Sequence, residues 1–151
     1  MLQIVNHHSR RTIFLPYLKK KIKLVLSYLG LETCTLELTL VADKFMIEQN
    51  QKHRGKRGTT DVLSFPQIQP KAVNSRDFGH FRSGFLGDIL ISLDQAQKQA
   101  DEQNIDLERE VLFLTVHSIL HLLGFDHETE KQRVEMQSLE SEIWQHVINE
   151  L

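Results

Sequence analysis

Cysteine is nearly absent from this chain: Cys34 is the only one in 151 residues. One thiol cannot close an internal disulfide, and such scarcity suits a reducing compartment. It also rules out a cysteine-rich zinc site, so any metal must be held by histidines and carboxylates. Long hydrophobic runs are missing too. No stretch of about 18 apolar residues occurs, which excludes a membrane-spanning helix. The start, MLQIVNHHSRR, lacks the cationic-then-apolar pattern of an export signal, so a cytoplasmic location is expected. No internal repeat, linker or low-complexity tract interrupts the chain. What is present is an ordinary globular mix, 40% apolar and 25% charged, at a length that suits one domain over 1–151.

The net charge of −2 conceals a strong asymmetry. Residues 1–82 carry 14 Lys and Arg against 6 Asp and Glu, a balance of +8; residues 83–151 carry 4 against 14, a balance of −10. A basic half can gather a polyanion even when the whole chain is slightly acidic. Two ordinary solvated surfaces would give the same counts, so charge alone does not decide.

Periodicity outlines nine elements. Residues 2–5 form a short apolar run, a first strand. Apolar residues at helical spacing (Leu18, Ile22, Leu26, Leu29) mark a helix over 13–29, with Pro16 tolerable near its start and Gly30 ending it. TLELTLV, 35–41, alternates and is rich in strand formers. Asp43 is placed to cap a short helix to about Gln49. NQKHRGKRGTT then reads as a basic loop, and DVLSF, 61–65, as a buried strand stopped by Pro66. Residues 67–83 show little periodicity and predict a long loop of the kind often used for function. FLGDILIS, 85–92, is a fourth strand. Helices follow over 93–103, from an Asp106 cap to about Leu123, and over 130–149 with Met136, Leu139, Ile143 and Val147 on one face. The order βαβαββααα predicts one α+β domain, a four-stranded sheet packed with helices.

The most informative stretch is HSILHLLGFDH, 117–127. His117 and His121 are four apart on a predicted helix, so both project from one face, about one turn apart. Gly124 stands where a helix commonly ends in a left-handed residue, which lets the chain return and bring His127 toward the other two. Three neutral imidazoles would leave one tetrahedral position on zinc open, the pattern of a catalytic rather than a structural site. Water in that position can have its pKa lowered to about 7. Asp126 could hold one imidazole in a fixed tautomer or could simply shape the turn. His80, in the long loop, could approach the metal or face solvent. Three imidazoles also suit nickel, copper or iron.

Zinc proteases keep a glutamate base directly after the first histidine, and here that position is Ser118. A serine hydroxyl is far too weak a base for the task, which argues against peptide hydrolysis by that route. A phosphodiester is a different target, because its transition state carries charge on phosphoryl oxygens that a metal and a guanidinium can stabilise. KHRGKRG, 52–58, supplies four Lys and Arg in seven residues just before the third strand. An arginine can grip a phosphate through two parallel hydrogen bonds, as lysine cannot. Lys56 and Arg57 fit a solvated loop equally well. KKKIK, 19–23, could touch RNA far from the chemistry or only face water while Ile22 packs inward.

These residues carry a resemblance. HSILHLLGFDH resembles the H-G-x-L-H-L-x-G-[YF]-D-H signature of the YbeY family of bacterial endoribonucleases and rRNA maturation factors. NQKHRGKRGTTDVLSFP resembles the family's N-x-x-[YF]-R-x-x-D-x-x-T-[DN]-V-L-S-F-P segment, which aligns Arg54 with its functional arginine. LGDILIS resembles the L-G-D-I-x-I strand, and MQSLESEI the M-x-x-L-E-x-x-I helix. The likeness runs in the same order over nearly the whole chain. Three positions depart from it: Ser118 replaces a glycine, His53 an aromatic residue and Arg57 an acidic one. The last two put the shape and charge of the substrate loop in question without touching the metal ligands.

The resemblance implies an α+β fold related to the zinc-protease (metzincin-like) core, with one zinc per chain on His117, His121 and His127. It also implies single-strand-specific RNA cleavage at the 3′ end of 16S rRNA and a part in ribosome quality control, with Arg54 catalytic. Implied partners are rRNA, the small ribosomal subunit and ribosomal proteins; neither DNA nor a membrane is expected. Two other readings stand beside this one, a metalloprotease-like hydrolase and a non-catalytic RNA-binding assembly factor. A small-molecule hydrolase has no specific support. The proton carrier is open between His53, Asp126 and bulk water.

Overall fold

The computed structural model describes residues 1–67, 78 and 84–149. Most of the long loop expected at 67–83, with His80, lies outside the described residues. The nine expected elements appear in the expected order: β1 (Leu2–Asn6), α1 (Leu15–Tyr28), β2 (Thr35–Val41), α2 (Asp43–Arg54), β3 (Val62–Pro66), β4 (Phe85–Ser92), α3 (Leu93–Gln103), α4 (Leu107–Leu122) and α5 (Glu130–Ile143). The strands form one mixed sheet in the order β1-β2-β4-β3. β1, β2 and β4 run parallel, and β3 pairs antiparallel with β4.

Alternation along the strands decides which side holds the core. Leu36, Leu38 and Leu40 of β2 and Ile89 and Ile91 of β4 are fully or almost fully buried, and they share one cluster with Leu18, Ile22 and Val25 of α1. α4 is the central helix of that layer. Eleven of its sixteen residues are buried, so it is apolar nearly all round rather than amphipathic. The opposite sheet face holds a smaller cluster, Val41, Met46 and Leu63 with Phe65 and Leu90 against it, which seats α2. The sheet is thus sandwiched, with α4 on one side and α2 on the other.

One close approach sets the position of α4. Gly87 has φ +151°, and a Cβ there would lie 2.5 Å from the Phe65 carbonyl oxygen and 2.9 Å from Leu122 Cδ2. Its missing side chain lets the last turn of α4, which carries His121, press onto the β3–β4 pair.

Four local expectations are corrected. α2 does not end near Gln49 but continues through Arg54 to a cap at Gly55. Tertiary contacts account for the extra turn: the Asn50 side-chain amide donates to the Gly58 carbonyl at 3.1 Å, and the His53 ring meets Phe65 edge-on at 4.9 Å. Asp43 is the first residue of α2, and Ala42 is its cap. The Asp43 carboxylate instead accepts hydrogen bonds from Thr59, Ser92 and Gln95, joining three elements. Pro66 is the last residue of β3 rather than the stop beyond it. The final helix is not uniform to Asn149: α-helical geometry gives way at Trp144 to a π-helical segment, Trp144–Ile148. Asp106 does cap α4, accepting the Arg109 N–H at 2.9 Å.

Candidate metal centre

The last two turns of α4 and the chain returning from it bring the three sequence-picked histidines together. Gly124, at φ +103°, reverses the chain as expected. The ring centroids of His117 and His121 are 4.6 Å apart, those of His121 and His127 5.3 Å, and those of His117 and His127 6.2 Å. One ring nitrogen from each lies within 4.8 Å of the others. Tetrahedral zinc with bonds of about 2.1 Å needs ligand nitrogens about 3.4 Å apart, so small ring movements bring all three into range.

Hydrogen bonds behind the rings fix their tautomers. His117 Nδ1 lies 2.6 Å from Glu140 Oε1 on α5, and His121 Nδ1 lies 3.0 Å from the Phe125 carbonyl oxygen. Both neighbours accept only, so each Nδ1 carries the proton. The two Nε2 atoms, 3.1 Å apart, therefore present lone pairs to each other. That contact is repulsive by itself and becomes favourable with a cation between them, so the donor set fits a metal. Burial foremost, then the neighbouring His117 and His127, hold His121 below the ordinary histidine pKa and favour its neutral, ligating form. His127 is the most exposed of the three, so the site opens to solvent.

Glu140 escaped the sequence reading, which offered Asp126 for the tautomer-fixing role. Asp126 is the turn residue instead, accepting the His127 backbone N–H at 2.7 Å. A signal for Glu140 was present: it borders the apolar face of α5, one turn after Met136 and directly after buried Leu139. Ser118 is 1% exposed, and its hydroxyl has no hydrogen-bond partner among the described residues. A serine hydroxyl is far too weak a base for the role that a zinc protease gives the glutamate at this position.

A cleft of about 690 Å³ opens beside the histidines. Its walls are the three rings with Ser118 and Asp126 on one side, β3 with Thr60 and Asp61 along the floor, and His53 and Arg54 at the end of α2. The extension of α2 is what brings Arg54 here, because its last turn overhangs β3. The Arg54 side chain is exposed and pairs with no carboxylate among the described residues. Lys56 and Arg57 are exposed beyond the helix cap and do not line this cleft.

A mixed α+β sheet with a solvent-open three-histidine cluster and an exposed arginine in one cleft defines a candidate single-metal hydrolase. The comparisons narrow the class. The family model described as Endoribonuclease YbeY matches residues 3–148, and the chain belongs to that family. Similar proteins named Endoribonuclease YbeY include that of Persephonella marina, 38% identical over 91% of this chain and 86% of its own length. That of Sulfurihydrogenibium sp. is 42% identical over 77% and 71%, and that of Aquifex aeolicus 40% identical over 80% and 74%. The solution structure of TM1509 from Thermotoga maritima shares the fold, with a TM-score of 0.59 and 23% identity over 96% of this chain and 90% of that one.

Proposed function

We propose that this chain is a metal-dependent endoribonuclease that cuts single-stranded RNA, acting in 16S rRNA 3′ end maturation and ribosome quality control. The observation carrying the reading is the meeting of three convergent imidazoles and Arg54 in one cleft, on a chain of the YbeY family. The whole of 1–151 works as one hydrolase domain with one zinc, held by His117, His121 and His127. Bound there, zinc supplies Lewis acidity toward a phosphoryl oxygen and acidifies water.

The chain's own groups do the rest. Glu140 and the Phe125 carbonyl keep the Nε2 lone pairs of His117 and His121 turned inward. The Arg54 guanidinium holds two oxygens of the scissile phosphate and offsets the charge that grows on them. The surplus of cations in residues 1–82 raises the local concentration of the polyanion. Ribosomal RNA, the small subunit and its proteins are the proposed partners, in the cytoplasm. Among the described residues no helix is long and apolar enough to cross a membrane.

Arg54→Ala is the test. The variant should keep its metal and its unfolding midpoint while cleaving a single-stranded RNA about a hundredfold more slowly, the effect of losing one charge-stabilising donor. Undiminished turnover would remove Arg54 from the mechanism.

A further inference from the structure

A second cavity, of about 520 Å³, continues the metal cleft on its far side. The two share Asp61, Val62, His117 and His127, so they adjoin at the metal site. The far cavity differs in chemistry. Its walls include Phe113, Leu114 and Met136, with Arg133 at the rim. Phe113 is 42% exposed and lies on the one stripe of α4 that is not buried, with Arg109, His117 and His121. It precedes His117 by four residues, so it lies on the same helix face, about 6 Å along the axis.

Phe113 is also held in place. Its ring stacks on Trp144, with centroids 6.1 Å apart and planes 29° apart. The Arg109 guanidinium lies 4.9 Å from the Trp144 ring centroid. The ring packs against Trp144 and still presents surface to the cavity. Scattered exposed apolar residues are common; one braced by a tryptophan, a single turn from a metal-binding histidine, calls for a ligand with a flat face.

We propose that Phe113, backed by Trp144 and Arg109, is a stacking platform for the nucleobase next to the scissile phosphate. The inference rests on the endoribonuclease reading above and adds a subsite to it. Aromatic stacking is indifferent to base identity but requires an unpaired base. The platform therefore selects single strands without selecting a sequence; Arg133 at the rim is paired with Glu130, at 2.5 Å, and takes no part in it.

Trp144, the only tryptophan in the chain, reports on the platform directly. Adenosine monophosphate, which an endonuclease cannot cut, should quench its fluorescence, and inorganic phosphate should not. In Phe113→Ala that quenching should weaken about tenfold in nucleotide affinity, while Phe113→Tyr preserves it. On a short RNA, Phe113→Ala should raise KM about tenfold with little change in kcat. An abasic sugar at one position beside the cleaved bond should erase the difference between Phe113→Ala and the unaltered protein. A KM unchanged by Phe113→Ala, together with unchanged quenching, overturns the platform and leaves the ring as a protein contact or plain surface. Loss of RNA cleavage by the unaltered protein, with Phe113-dependent quenching retained, would sink the nuclease reading and leave the platform standing.

Discussion

Removing the Glu140 carboxylate should weaken metal binding without emptying the ligand set. The Glu140 side chain is 14% exposed and that of His117 31%, so their 2.6 Å contact is partly shielded from water. A hydrogen bond to a charged group in such a setting contributes about 1.5–3 kcal/mol. Part of this is felt only when metal withdraws electron density from His117 and strengthens the Nδ1–H donor. Loss of a carboxylate behind a metal-binding imidazole typically lowers metal affinity by about 10–100-fold, or about 1.4–2.7 kcal/mol. Glu140→Gln retains a carbonyl acceptor and should fall near the lower bound; Glu140→Ala should approach the upper one. The assay is competition for zinc against a chelating dye, run beside thermal unfolding with and without metal. At saturating zinc both variants should fold as well as the unaltered protein. Equal zinc affinity in all three proteins would refute the claim that Glu140 orients His117.

Two further outcomes are expected. Ser118→Ala removes a buried hydroxyl that has no partner among the described residues, so it should leave RNA cleavage intact and stabilise the fold by up to about 1 kcal/mol in urea unfolding; a loss of cleavage would give the hydroxyl a role in the reaction. Asp94 yields an acid prediction. Burial opposes its ionisation, but hydrogen bonds from Arg11, the Asp43 N–H and His8 outweigh that and lower its pKa from 3.8 to about 2. Because the folded value is the depressed one, its stabilisation is complete above about pH 4 and disappears as pH falls through 2. The full linkage value of about 2.4 kcal/mol shrinks to about 1 kcal/mol by solvent screening, since the Arg11 side chain is 40% exposed. Asp94→Asn should therefore reduce stability at pH 6 and not at pH 2; an equal loss at both would contradict this.

The metal cluster was legible because its three ligands fall within eleven residues, so helix spacing and one turn glycine fix their convergence. Strand β2 was legible because apolar and polar residues alternate along TLELTLV, and α4 because Asp106 marks its start. The misses share a physical cause, partners distant in sequence. Asp43 has the local chemistry of a cap, yet Ser92 and Gln95, about fifty residues away, recruit its carboxylate. The last turn of α2 forms against Phe65, and that turn decides where Arg54 stands. Asp126 was the nearer candidate for orienting a histidine; Glu140, twenty-three residues from His117, takes the position because α5 folds back beside α4. Strand order was also beyond reach, since hydrophobic alternation does not reveal that β4 inserts between β2 and β3.

Cutting RNA should require one metal, gripped by His117, His121 and His127. Metal analysis of the purified protein, paired with cleavage of a single-stranded RNA before and after chelation, tests it most directly. One equivalent of metal per chain is expected, with cleavage abolished by the chelator and restored by zinc, and neither metal nor cleavage in a folded His121→Ala variant. Full cleavage by metal-free protein would contradict it.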